Sequence, residues 1–176
     1  MITELARGDS IELEKTGRRA RSAPNGQQRS QAVGIESAIS AILLEVSALY
    51  FKTNRSLRHI VGPNVRNYRL LLEEQRAQLS AMIDQITERN RKMGVTVHEP
   101  VYQLIHQQSA HDNDAAYIQP LDILDDLHED NQGLLARLKE ACGLCNRCLD
   151  IAMASVIEIW IDETARRGWS FSQAVE

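Results

Sequence analysis

From Gly34 onward, apolar residues recur at intervals of three and four, the spacing of one face of an α-helix. In the first segment, Ile35 to about Leu57, the apolar positions are Ile35, Ala38, Ile39, Ile42, Leu43, Val46, Leu49 and Tyr50. Gly62-Pro63 then breaks the chain, and Pro63 is predicted to open the next helix. Tyr68, Leu72, Leu79, Met82, Ile83, Ile86 and Met93 form a second stripe, with Gly94 as a stop. Residues 95–117 are mixed: VYQLIH predicts a short helix and SAHDNDAA a loop. Pro120 suits the first position of a third long helix, whose stripe runs through Leu121, Leu124, Leu127, Leu134, Leu135 and Leu138 toward Cys142. Asp150 is a good N-cap for a last helix carrying Ile151, Ala154, Ile157, Trp160 and Ile161. There is no strand-like alternation and no internal repeat. The pattern predicts an all-α, four-helix bundle with a short extra helix in the middle connection.

Composition supports long helices, because 176 residues contain only nine glycines and four prolines. The length fits one domain. The richest apolar stretch, Ala38 to Phe51, is shorter than the ~18 residues of a membrane span. It also contains Ser40, Glu45 and Ser47, so no membrane partner is expected. The N-terminus has no basic region followed by an apolar run, which argues against a signal peptide. Three cysteines within seven residues are not a disulfide framework, and a cytoplasmic location is the expectation.

The net charge of −4 is unevenly spread. Residues 1–34 hold six basic and four acidic side chains, so that segment carries +2 and residues 35–176 carry −6. Lys15, Arg18, Arg19, Arg21 and Arg29 follow one another without an intervening acid. Residues 1–34 therefore read as a flexible charged tail, either a solvated leader or a contact arm for nucleic acid, and residues 35–176 as the folded domain.

The segment LYFKTNRSLRHIVGPNVRNYRLLLEEQRAQLSAMIDQITERNRKMG, Leu49 to Gly94, closely resembles the Dps family of mini-ferritins. DNDAAYIQPLDILDDLHEDNQGL and ASVIEIWIDETARRGW agree in order and spacing, so the resemblance covers about residues 35–170. It implies a ferritin-like bundle, a hollow cage of twelve subunits, iron(II) oxidation at sites shared across two-fold interfaces, iron storage in the cavity, and DNA protection under oxidative stress. Many members bind DNA through basic tails, which would give a nucleoid-associated location.

The family's ferroxidase motif is two histidines twelve residues apart, an acid four later, then Asp and Glu after steps of eleven and four. Laid on this chain, the histidines fall on Leu57 and Arg69, and both imidazoles are absent. Glu73 takes the first acidic position, while Asp84 and Glu88 match the last two. His59 lies about 200° around the helix from Leu57 and cannot take its place. Two outcomes are open. Arg69 can serve as a fixed cation that pairs with these carboxylates and repels iron(II), making the locus a structural salt-bridge site at the dimer interface. Alternatively Glu73, Asp84 and Glu88 remain as oxygen ligands for iron. Whether the chain is an enzyme therefore stays open.

A second acidic set, Asp122, Asp126 and either Glu129 or Asp130, repeats at helical spacing. The resemblance implies that Asp122, Asp126 and Asp130 line a three-fold pore for entering iron. The plain alternative is a solvated helix start, where acids complement the dipole. Cys142, Cys145 and Cys148 share one helix side, and structural thiols are a better reading than a soft-metal site, for want of a fourth ligand. His98, His106, His111 and His128 form no ligand-spaced pair. Trp160 reads as core, and Trp169 as core or interface.

Three function classes follow. The first is a Dps-like cage for iron sequestration and DNA protection with its ferroxidase site impaired, homo-oligomeric or mixed with an active paralogue. The second is a non-enzymatic DNA-compaction or structural cage subunit gripping non-specific DNA with its tails. The third is a metalloenzyme with a relocated site.

Overall fold

The computed structural model describes residues 26–93 and 119–175. Four helices make up the described chain: α1 (Gly26–His59), α2 (Val65–Met93), α3 (Pro120–Arg147) and α4 (Ile151–Val175). The basic residues 15–21 and the middle segment expected to hold an extra short helix lie outside the described residues. So do His98, His106 and His111. Helix α1 begins earlier than the hydrophobic stripe indicates and includes Arg29 and Gly34. Gln and Arg are good helix formers, and they extend the frame set by Ile35.

Paired side chains give the topology. Glu45 and Lys52 of α1 meet Arg137 and Asp130 of α3, the higher number on one helix facing the lower on the other. Gln78 and Gln85 of α2 meet Arg167 and Trp160 of α4 in the same inverted order. His128 and Asn131 of α3 meet Gly168 and Arg167 of α4. Helix α1 is thus antiparallel to α2 and α3, and α4 is antiparallel to α2 and α3. Two hairpins, α1–α2 and α3–α4, are joined by the long connection through residues 94–119.

The core is the set of stripes read from the sequence. Ile39, Ile42, Leu43 and Val46 of α1 pack with Leu72, Leu79, Met82 and Ile86 of α2, Leu124, Leu127, Leu134 and Leu138 of α3, and Met153, Ile157, Trp160 and Phe171 of α4. Burying a large apolar side chain contributes roughly 1.5–3 kcal/mol each, so these stripes dominate stability. Within α1, Val33–His59 is long and apolar enough to cross a membrane by length and composition, with mean hydropathy 1.5. This runs past both ends of the Ala38–Phe51 stretch, and in the bundle its apolar stripe faces the core.

The hairpin ends show where turn chemistry wins. Helix α2 starts at Val65, two residues after Pro63. Gly62 has φ +124° and Asn64 φ +61°, so the chain turns through left-handed backbone on both sides of the proline. The Asn64 carbonyl then accepts from the Asn67 and Tyr68 amides. Gly62 tolerates its φ because it lacks a Cβ. Pro120 does open α3, as expected. Asp150 does cap α4, its Oδ1 accepting from the Met153 amide at 3.0 Å. The Asp150 carboxylate also accepts from Arg89 Nη2, at 3.0 and 3.2 Å, tying α2 to the α3–α4 turn.

Candidate functional site: a cationic cleft and a buried polar belt

At the α1–α2 end of the bundle is a cleft of about 400 Å³ lined by Asn54, Leu57, Arg58, Arg69, Glu73 and Arg76. Helical spacing explains the lining. Residues 54, 57 and 58 share one face of α1, and 69, 73 and 76 share one face of α2. Leu57 is 7% exposed and forms an apolar floor. The three arginines and Glu73 stand exposed around it. The sequence comparison brought Leu57, Arg69 and Glu73 to one locus, and the structure places all three in this cleft. It missed Arg76, which sits two helical turns beyond Arg69 on the same face; that heptad step was the available signal.

Within one subunit the cleft residues are not paired with one another. Arg69 and Glu73 are one turn apart, but neither they nor Arg76 forms an ion pair among the described residues. Arg58 has an interaction of its own. Asp84 lies eleven residues from Glu73, about 16 Å along the helix, and Glu88 about 22 Å. One chain therefore cannot bring Glu73, Asp84 and Glu88 to one ion. Asp84 is exposed, and Glu88 is held by a fork from Arg91, with Nε and Nη2 at 2.8 and 2.9 Å. Among the described residues no group of three or more His, Cys, Asp or Glu side chains is placed to hold a metal ion. The donor set of this chain by itself does not fit a di-iron centre: one carboxylate faces three guanidiniums.

The acids of α3 divide. Lys52 of α1 donates to Asp130 Oδ2 at 2.7 Å and stands 3.6 Å from Asp126 Oδ2, so two of the three expected pore acids share a cation within the subunit. Asp122 is exposed at the start of α3. Lys52 lies on α1, so the spacing of acids along α3 gives no sign of it. Beside this group, Glu45 has its pKa raised, chiefly by burial, with Arg137 opposing and Asp130 reinforcing the shift. Arg137 Nε lies 2.9 Å from Glu45 Oε2 but off the line a hydrogen bond needs, leaving that oxygen without a hydrogen-bond partner.

A polar belt crosses the middle of the bundle. Thr53 Oγ1 donates to the Leu49 carbonyl and accepts from Gln75 Nε2 at 2.7 Å. Gln75 Oε1 accepts from Asn131 Nδ2 at 2.8 Å, and Asn131 Oδ1 accepts from Arg167 Nε at 3.2 Å. Arg167 also donates from Nη1 to Gln78 Oε1 and from Nη2 to Thr164 Oγ1, each at 2.9 Å. Arg167 is only 5% exposed and its contacts are all neutral. Burial pulls its pKa down to about 10, while Glu163 and Glu74 work against the shift. Part of the compensation is relayed, because Gln78 Nε2 donates to Glu74 Oε1. At this one level the interior between the four helices is thus occupied by amides, threonine hydroxyls and a guanidinium. No sequence signal short of register singles them out: Gln75 and Asn131 stand where the apolar stripe calls for leucine.

The other expectations resolve simply. Cys142 and Cys145 are buried free thiols and Cys148 is half-buried. Burial pushes the Cys145 thiol up, outweighing Arg89, so Cys145 is not an activated thiol. His128 Nδ1 lies 2.9 Å from the Gly168 carbonyl, the contact of a satisfied polar residue. Trp160 is core and donates from Nε1 to Gln85 Oε1, while Trp169 is 64% exposed.

The family model for the ferritin-like domain matches residues 38–176. The chain belongs to the ferritin-like family. No curated protein matches this family member in a search of characterised sequences. Among solved structures, its bundle is similar to Dps from Thermosynechococcus elongatus, with a TM-score of 0.74 and 13% identity over 85% of this chain and 95% of that one. Dps from Staphylococcus aureus gives 0.71 and 16% over 88% and 99%. The Dps protein of Vibrio cholerae O1, described as one of a broad superfamily of ferritin-like diiron-carboxylate proteins, gives 0.72 and 16% over 84% and 92%. This ferritin-like chain therefore has the Dps fold over most of its length.

Proposed function

We propose that this protein is a subunit of a Dps-type mini-ferritin cage, a dodecamer that sequesters iron and protects DNA from oxidative damage. The observation that carries the reading is the Dps fold matched along almost the full length of both chains. The ferroxidase activity of the cage is impaired. At the locus where the family holds two histidines this chain has Leu57, which offers no lone pair, and Arg69, a fixed cation. A guanidinium within about 4 Å of a bound iron(II) would oppose it by several kcal/mol even at moderate dielectric. Iron then enters as cargo past Asp122, Asp126 and Asp130 around the three-fold axis, with Lys52 damping the pull of the last two. Oxidation takes place elsewhere in the cavity, or on a catalytically intact paralogue in a mixed cage.

The deciding experiment is iron(II) oxidation by the assembled protein with hydrogen peroxide, counting iron retained per cage, beside Leu57→His/Arg69→His. Negligible oxidation by wild type with a gain in the double variant is the expected result. Rapid saturable oxidation by wild type would show that the two missing histidines are not decisive.

The same loss of ligands favours a second reading, a non-enzymatic compaction protein of the cytoplasmic nucleoid. Its arms carry Lys15, Arg18, Arg19 and Arg21, with Arg29 at their base in the first turn of α1, repeated around the cage. Such arms grip phosphates without reading sequence, so affinity falls steeply with salt. DNA binding that survives high salt, or deletion of residues 1–30, would rule the arms out.

A further inference from the structure

Helix α2 presents an exposed face whose charges are separated along its length. At 3.6 residues per turn, Glu73, Ala77, Ser80, Ala81 and Asp84 lie within about 100° of its circumference. Arg69 and Arg76 stand at the edge of this face that turns toward α1, where they line the cleft with Glu73. The N-terminal half of the face thus carries two cations and one acid, and the C-terminal half carries Asp84. None of these four charges forms an ion pair among the described residues. Asp84 cannot reach either guanidinium of its own chain. It lies about 12 Å along the axis from Arg76 and about 22 Å from Arg69, whereas side chains on one helix meet at about 5–6 Å. Between the two halves the face is nearly flat, because Ala77 and Ala81 are exposed and Ser80 is half-buried. Such small side chains let a second helix axis approach to about 8 Å, the short end of the packing range. Leu70, 59% exposed, adds apolar contact surface at one end.

We propose that this face docks antiparallel on the same face of a second copy, with Arg69 and Arg76 of each chain pairing with Asp84 of the other. The midpoint between Glu73 and Asp84 falls between Gln78 and Leu79. A two-fold axis there sets Glu73 opposite Asp84 of the second copy and Ala77 opposite its Ser80. Arg69 and Arg76 lie about one turn to either side of that point, so Asp84 of the second copy comes between their forks. Each half of the contact then holds two guanidiniums and two carboxylates, neutral as a set. Arg69 also comes level with Glu88 of the second copy. Arg66 comes level with Arg91, whose charge its own Glu88 already meets. Arginine–carboxylate forks fix the register of such a contact as well as hold it. The locus becomes an assembly lock that needs no metal, because guanidiniums stand where a bridging cation would otherwise neutralise Glu73 and Asp84. The inference rests on the cage reading only for the presence of a second copy, and iron plays no part in it.

The test follows assembly of the full-length, chelator-treated protein by analytical ultracentrifugation at graded salt. Wild type is expected to assemble without metal and to dissociate more readily as salt rises. Asp84→Arg alone and Arg76→Asp alone each set like charges opposite one another and should weaken assembly about tenfold or more. Arg69→Gln should weaken it about tenfold. Mixed one to one, the Asp84→Arg and Arg76→Asp chains make both halves of the contact neutral again and should associate to within about threefold of wild type. All these positions are exposed, and rescue on mixing shows that both variants are folded. Either charge reversal assembling as well as wild type overturns the proposal. So does a mixture that stays apart, or a wild type that assembles only when a divalent cation is restored. A full-mass cage indifferent to all three charges overturns the lock alone, whereas a wild type monomeric at every salt overturns the cage reading with it.

Discussion

Replacing Arg167 by leucine removes the one cation inside the polar belt while keeping an apolar side chain of substantial volume. Two effects oppose each other. The fold pulls the guanidinium pKa down to about 10, well below its ordinary value, which at 1.36 kcal/mol per decade is a cost of about 3 kcal/mol that leucine relieves. Against this, three hydrogen bonds from a charged donor disappear, to Asn131, Gln78 and Thr164. At about 1.5–3 kcal/mol each these outweigh the relief. Asn131, 1% exposed, is left with an acceptor that cannot reach water. The net expectation is a loss of about 2–5 kcal/mol, or roughly 5–15 °C in melting temperature for a chain of this size. Thermal unfolding followed by far-UV circular dichroism measures it. A leucine variant that melts at or above the wild type would refute the account. It would mean that the buried charge is a net burden and that its three acceptors find other donors.

Three further outcomes are expected. Glu45 has a folded pKa above its unfolded value, so the folded state binds the extra proton more tightly, and its contribution to stability falls as pH rises through that window. Glu45→Gln should therefore raise the melting temperature at pH 7 and lessen the gain seen on acidifying toward pH 5; an unchanged pH profile would contradict this. Timed thiol alkylation read by mass spectrometry should modify Cys148 first and the buried Cys142 and Cys145 slowly, whereas equal rates would show that the α3–α4 hairpin opens readily. Lys52→Met should alter stability by no more than about 1 kcal/mol, the scale of a part-exposed pair. It should also tighten manganese(II) binding by freeing Asp126 and Asp130; unchanged affinity would show that Lys52 does not screen them.

The helices were legible because amphipathic spacing survives nearly any choice of particular side chain. Ile39 to Val46 and Leu124 to Leu138 are core in the structure for the reason they look like core in the sequence. Caps that depend on one residue type, Pro120 and Asp150, were legible too. The start of α2 was not, because it depends on positive φ at Gly62 and Asn64, a property of the turn as a whole. Leu57, Arg69 and Glu73 fall together because they sit at the spacing of the Dps-family motif. Arg76 and Lys52 were not gathered, since their roles arise only when a second helix is laid alongside. The polar belt was hidden for a related reason: Gln75 and Asn131 look like ordinary polar residues until the apolar stripe is followed through them.

That belt also acts as a ruler. Apolar stripes spaced at three and four re-engage after a slide of one helical turn, about 5.4 Å, with little change in buried area. Gln75 has no such freedom. Its amide donates to α1 and accepts from α3 at the same time, at 2.7 and 2.8 Å, and a one-turn slide would leave both bonds unmade in a place water does not reach. Greasy surfaces hold these four helices together, but a handful of amides decides the axial setting at which they stop.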